Sequence, residues 1–191
     1  MPNNKQETIS QTIKVLESGG VILYPTDTIW GIGCDATNEN AIKKIYKIKK
    51  RQENKPLILL IHDIHLLEKY ISSVPKIAYE LINKSTQPTT IIYEKPRLLP
   101  EILVRQNTIG IRVVKNHAIS MILKKINKPI TSTSANISNT THAMNFSEID
   151  IYIKNNVDYI VPENFKSYKD INKTSTIIKI NSDSSIHTIR K

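Results

Sequence analysis

Residues 38–61 read NENAIKKIYKIKKRQENKPLILLI, and this stretch decides the fold. Asn38 is a capping residue, and the spacing behind it predicts a helix from Glu39 to about Lys50. Ile42, Ile45 and Lys49 fall along one face of it. Leu57 to Ile61 then runs apolar without a break, as in a strand buried on both faces. Helix followed by buried strand is the grammar of an α/β protein. The flanks follow it. Ile9, Ile13 and Leu16 recur at helical spacing, Gly19-Gly20 closes that helix, and Val21 to Tyr24 reads as a strand. Downstream, one helix passes through Leu66 and Leu67, and another begins near Pro75. Thr89 to Tyr93 and Thr108 to Val113 read as strands, Ala118 to Ile126 as an amphipathic helix, and Pro129 to Thr133 as a strand. A helix over 147–155 and strands near 158–161, 175–180 and 186–189 finish the chain. The alternation implies a largely buried sheet. No repeat, linker or composition break divides the 191 residues, so residues 1–191 are read as one domain.

Composition excludes more than it selects. The chain carries 27 Lys plus Arg against 17 Asp plus Glu, a formal net charge of +10. Only Arg51, Arg97, Arg105, Arg112 and Arg190 are arginine. Lysine, isoleucine and asparagine are abundant throughout, which marks general drift and not a selected basic face. Cys34 is the one cysteine, so a disulfide scaffold and a Cys-only zinc site are excluded, and a reducing cytoplasmic compartment is expected. No apolar stretch nears the roughly 20 residues of a membrane span, and the N-terminus lacks an apolar signal core. Glycine occurs 5 times, where about 13 is usual, so each should sit where only glycine fits.

Four features bear on chemistry. Gly31-Ile32-Gly33-Cys34-Asp35-Ala36 fits a dinucleotide-binding pattern, but the acidic residue about 20 positions on is Glu53, in a basic turn. A tight backbone turn is the simpler reading of the two glycines. Lys47, Lys49, Lys50, Arg51 and Lys55 crowd a helix end. The helix dipole accounts for one or two of these cations, and a bound polyanion would relieve the repulsion among five. Thr131 to Ser138 offers hydroxyls and an amide beyond a strand, where α/β proteins collect ligands; otherwise it is a solvated loop. If that run stays extended, Ser134 and Asn136 point the same way and Ala135 faces the protein. His62, His65, His117, His142 and His187 show no metal-ligand spacing, and Cys34 reads as a small packed residue.

Taken together and in order, these segments resemble the YrdC-like threonylcarbamoyl-AMP synthases. The matching pieces are Tyr24-Pro25-Thr26-Asp27-Thr28-Ile29-Trp30-Gly31-Ile32-Gly33, Lys49-Lys50-Arg51, Lys55-Pro56-Leu57-Ile58, and Pro88-Thr89-Thr90. Ile109-Gly110-Ile111-Arg112-Val113, Ser132 to Ser138, Ser175-Thr176-Ile177 and Ile189-Arg190 complete the set. The resemblance implies a twisted mixed parallel and antiparallel sheet, flanked by helices, around a concave basic groove. It implies that L-threonine, bicarbonate and ATP are joined into threonylcarbamoyl-AMP with release of pyrophosphate, for threonylcarbamoyladenosine in tRNA. The K-x-R and S-x-N signature falls on Lys49, Arg51, Ser134 and Asn136 as catalytic residues. Thr28, Arg112 and Ser175 would touch threonine or its carbamate. Arg51, Lys55, Thr108, Ser132, Ser134, Ser138 and Arg190 would touch the nucleotide. Mg²⁺ would arrive with ATP, with no protein-held metal and no organic cofactor. The implied partners are transient tRNA or double-stranded RNA and downstream threonylcarbamoyl-transfer proteins.

The residue types suit that chemistry. The carbamate of threonine attacks the α-phosphorus of ATP, and charge builds on nucleophile, phosphoryl oxygens and leaving group together. Fixed cations and hydrogen-bond donors answer this need. The sequence departs from the family pattern at Gln52, at Leu60, where many members carry a substrate-binding histidine, at Asn139, where glycine is usual, and at Pro162-Glu163-Asn164 and Thr174. The rival readings are a non-synthase paralogue binding nucleotide or double-stranded RNA through the same groove, a plain RNA-binding module, and an NAD-dependent oxidoreductase resting on Gly31-x-Gly33 alone.

Overall fold

The computed structural model describes residues 5–115, 117–165, 173–181 and 185–191. The first four residues of the polar N-terminal stretch thus lie outside the described part. The elements are α1 (Lys5–Glu17), β1 (Ile22–Tyr24), β2 (Gly31–Gly33), α2 (Glu39–Ile48), β3 (Ile58–Ile61), α3 (Leu67–Tyr70), α4 (Lys76–Lys84) and β4 (Thr89–Glu94). There follow β5 (Thr108–Val113), α5 (Ala118–Ile126), β6 (Ile130–Ser134), α6 (Ile151–Asn156), β7 (Tyr159–Ile160), β8 (Thr176–Ile180) and β9 (Ile186–Arg190). The strands form one sheet in the order β7-β1-β2-β6-β3-β5-β4-β8-β9. The pairs β1–β7, β3–β5 and β4–β8 are parallel and the other five antiparallel, so the sheet is mixed, as expected.

β3 shows why the apolar run has no break. Leu59 and Ile61 pack into a cluster with Ile42 and Ile45 of α2, whereas Leu60 packs into another with Ile9 and Ile13 of α1 and Ile119 and Ile122 of α5. Successive side chains point to opposite faces, and both faces are covered by helices. Asn38 caps α2 as read, its side chain accepting from the Ala41 amide at 3.1 Å. The helix stops two residues short of Lys50, because Lys50 takes a positive φ of 47° and turns the chain toward β3. Gly19, at φ 78°, ends α1 in the left-handed conformation that glycine adopts without strain. Pro75 caps α4 from outside instead of starting it, with ψ at 136°. The last predicted helix begins at Ile151 and not near 147, because the Asp150 side chain caps the Tyr152 amide.

The turn reading of Gly31 and Gly33 is corrected. Both lie in β2, between β1 and β6. A Cβ on Gly33 would sit 2.2 Å from the Thr131 carbonyl oxygen and 2.9 Å from the Tyr24 ring. The glycine permits close approach of three strands and not a bend. The dinucleotide reading falls with it, since that fingerprint needs a strand-to-helix turn.

Candidate active site

A cavity of about 320 Å³ opens among the β1–β2 connection, β6, β8 and the loop after α2. The predicted residues Thr28, Arg51, Arg112, Ser132, Ser134, Ser175 and Arg190 line it together. Five more predicted residues stand apart from its wall: Lys49, Lys55, Thr108, Asn136 and Ser138.

Thr28 and Arg112 form a buried recognition pair. Thr26 Oγ1 donates to the Ile29 carbonyl at 2.8 Å. Its one proton is used there, so the 2.8 Å contact between the two threonine hydroxyls takes the proton of Thr28. Arg112 Nη2 lies 3.4 Å from the Thr28 hydroxyl and donates to Asp27 Oδ1 at 2.8 Å. Thr28 is left with one lone pair, and so meets a ligand as an acceptor. Arg112 is 2% exposed, and its Nε has no hydrogen-bond partner. A buried guanidinium N–H without a partner is costly unless a ligand supplies an acceptor.

Arg51 repeats the pattern. One terminal nitrogen donates to the Pro56 carbonyl at 3.0 Å, and the buried Nε has no partner. Arg190, at the far edge, donates to the Ser175 carbonyl at 2.9 and 3.2 Å. Ser175 Oγ in turn lies 2.9 Å from Thr90 Oγ1. No carboxylate lines the cavity among the described residues; Asp27 stands behind Arg112 and offsets that one charge. Two guanidinium groups therefore remain for a polyanion.

Lys49 is the surprise of the signature. It is 1% exposed, and its Nζ donates to the carbonyls of Ser134 and, at 2.6 Å, of Asn136. Burial, with Arg51 nearby, pulls its pKa down to about 7. It clamps the S-x-N loop to the end of α2, and the Ser138 amide completes the clamp on the Lys49 carbonyl at 2.9 Å. The loop is not extended, which corrects the expectation that Ser134 and Asn136 face one ligand. β6 ends at Ser134, and the Asn136 amide turns back to the Ser134 carbonyl at 2.9 Å. The Asn136 side chain donates to the Ile137 and Thr140 carbonyls at 2.9 and 2.8 Å. Ala135 is buried, as expected.

Asn136→Ala should therefore destabilise the ligand-free protein by about 1–3 kcal/mol, because it removes the two hydrogen bonds by which the buried Asn136 side chain closes the loop on the Ile137 and Thr140 carbonyls. Ser134→Ala should leave unfolding unchanged and weaken ligand binding instead. Urea unfolding of both variants without ligand checks this; equal midpoints would contradict the clamp.

Lys55 and Thr108 are used elsewhere. Lys55 Nζ donates to Asn139 Oδ1 at 2.8 Å, tying the loop after α2 to the turn after the S-x-N run. Thr108 Oγ1 donates to the Arg105 carbonyl at 2.7 Å at the start of β5. Ser138 keeps a buried Oγ without a partner. Asn139 holds φ 68°, which explains the departure: asparagine tolerates the left-handed region where glycine is usual. Leu60 is core and off the cavity wall, whereas Ile58 on the same strand face lines it. Trp30, Ile58 and Ile177 give the cavity an apolar side that no role had been read for. For Ile58 and Ile177, strand parity was a usable signal. His142 also lines the cavity, and only the fold brings it there.

Residues 14–191 match the family model Sua5_yciO_yrdC, described as Telomere recombination. The chain belongs to the Sua5/YciO/YrdC family. Among relatives of this family, the threonylcarbamoyl-AMP synthase of Psychromonas ingrahamii is 35% identical over 156 residues, covering 80% of this chain and 82% of that protein. E. coli YciO superposes with a TM-score of 0.79 at 26% identity, over 99% of this chain and 91% of its own. P. abyssi Sua5, solved in complex with L-threonine, superposes at 0.86 with 24% identity, a likeness of fold. It covers 98% of this chain, which spans about half of that one, at 54%. The mixed sheet described above is therefore the Sua5/YciO/YrdC sheet.

Proposed function

We propose that this Sua5/YciO/YrdC chain is a threonylcarbamoyl-AMP synthase: it joins L-threonine, bicarbonate and ATP, and releases pyrophosphate. The observation that carries this is the cavity itself. It pairs a hydroxyl that can only accept from a ligand and an arginine Nε without a protein partner with two further arginines and, among the described residues, no lining carboxylate. Thr28 suits the ammonium of an amino acid, and Arg112 Nε suits its carboxylate or carbamate. Arg51 and Arg190 suit a polyphosphate, with Ser132 and Ser134 as close neutral donors. The apolar side at Trp30, Ile58 and Ile177 suits an adenine ring.

In the reaction the amine takes up carbon from bicarbonate, and the carbamate oxygen attacks the α-phosphorus. Pyrophosphate leaves, and Arg51 stabilises the charge that spreads over the phosphoryl oxygens. Arg112, held by Asp27 and Thr28, keeps the carbamate aimed. Lys49 and Asn136 position the loop carrying Ser134 and so act through it. Mg²⁺ enters as part of the ATP substrate. Among the described residues no cluster of three His, Cys, Asp or Glu is arranged to hold a metal. The product serves tRNA threonylcarbamoyladenosine formation in the cytoplasm, handed to a transferase with or without transient tRNA contact. No helix among the described residues is long and apolar enough to cross a membrane.

The test uses isotopically labelled bicarbonate with threonine, ATP and Mg²⁺. The expected product carries one labelled carbon per AMP and requires threonine. Nucleotide binding without any labelled adduct would instead assign the chain to a non-synthase paralogue.

A further inference from the structure

Among the described residues His142 is the one imidazole that lines the cavity, and the loop around it fixes its state. The Asn136 side-chain amide is oriented by two donated bonds, to the Ile137 and Thr140 carbonyls. Its Oδ1 can therefore only accept, and it lies 3.3 Å from His142 Nδ1. Nδ1 must carry the hydrogen, which leaves Nε2 with a free lone pair. The charged groups around the ring are all cationic: Lys49 at the end of α2, Arg51 in the loop after it, and Arg190 on β9. Burial, then Lys49 and Arg190, lower the pKa of the ring below its usual value, which favours the neutral form. Among the described residues the wall carries no other group that could act as a base near neutral pH, and Lys49 behind it is engaged by two carbonyls. The Thr28 proton is spent on Thr26, and no carboxylate lines the cavity among the described residues.

We propose that His142 is the base that prepares the threonine amine, a role that rests on the synthase reading given above. Threonine arrives as an ammonium and cannot attack carbon until a proton leaves. Nε2 takes that proton and the ring becomes an imidazolium. The freed amine attacks the carbon of bicarbonate, forming the N–C bond. Hydroxide leaves with the second amine proton as water, and the nitrogen ends as a carbamate. The imidazolium then returns its proton to solvent, so the step balances without any further reactant. The Nδ1–H bond to Asn136 holds throughout and leaves Nε2 as the nitrogen that exchanges the proton. His142 is exposed overall, so replacing it leaves the fold intact.

The test is the pH dependence of pyrophosphate release for the parent, His142→Ala and His142→Gln. In the parent, kcat/KM should fall at acid pH with an apparent pKa below the usual histidine value. Both variants should lose 100-fold or more at pH 7 and lose that acidic limb. Added imidazole should restore part of the rate to His142→Ala and none to His142→Gln, whose amide fills the space. Variants that keep both the rate and the limb would overturn the role of His142 alone. A parent that releases no pyrophosphate would overturn the synthase reading instead.

Discussion

Arg51→Ala should lose about 100- to 1000-fold in kcat, while Lys43→Ala should keep nearly all of its activity. The contrast is sharp because both cations belong to one basic stretch. Lys43 is exposed on the second turn of α2 and paired to Glu39 at 2.7 Å, four residues away. Such surface pairs contribute little. Arg51 lies past the helix end, anchored to the Pro56 carbonyl, with a buried Nε that has no protein acceptor. A preorganised donor of this kind, aimed where phosphoryl charge develops, is worth about 2.7–4 kcal/mol. Steady-state kinetics of the two variants decides it; similar losses at both positions would mean a diffuse electrostatic face and no defined phosphate site.

Lys49→Met should be the most damaging change to stability near the site. At pH 9 it removes the donor to the carbonyls of Ser134 and Asn136, at a cost of about 2–6 kcal/mol. The damage should shrink as pH falls, and the sign follows from linkage. The native amine titrates near 7, while the unfolded one keeps its proton to about 10.5. Between these values the unfolded state binds more protons, so the parent gains stability as pH rises. From pH 7 to 9 the gain attributable to Lys49 is about 2 kcal/mol, at up to about 1.4 kcal/mol per pH unit. Denaturant unfolding of parent and variant at both pH values measures the difference. A gap that stays constant, or narrows on raising the pH, would show that Lys49 is not the titrating group.

Much of this architecture was readable from residue order. The break-free run at Leu57 to Ile61 announced a strand covered on both faces, because both faces are in fact covered by helices. Asn38 and Gly19 marked helix ends by local chemistry, which needs no tertiary information. The seven cavity residues were legible through the ordered motifs that carry the family resemblance. What escaped depended on contacts between distant segments. Gly33 looked like a turn glycine because the Thr131 carbonyl that forbids a Cβ is about a hundred residues away. That the Lys49 amine meets the carbonyls at 134 and 136 was not legible, because nothing local shows it. Asn136 looked extended because the alternation of side chains assumes a strand, and β6 ends two residues earlier. His142 carried no spacing signal at all; its place rests on one amide contact across the S-x-N loop.

The measurement that bears most directly on the whole account is pyrophosphate release with one substrate withheld at a time. With ATP, Mg²⁺, L-threonine and bicarbonate all present, release should be continuous. Withholding threonine, or depleting bicarbonate, should each reduce it to background, because the attacking oxygen belongs to a carbamate that needs both. Release that continues without threonine, or that never appears with the full set, would contradict the assignment of this cavity to threonylcarbamoyl-AMP synthesis.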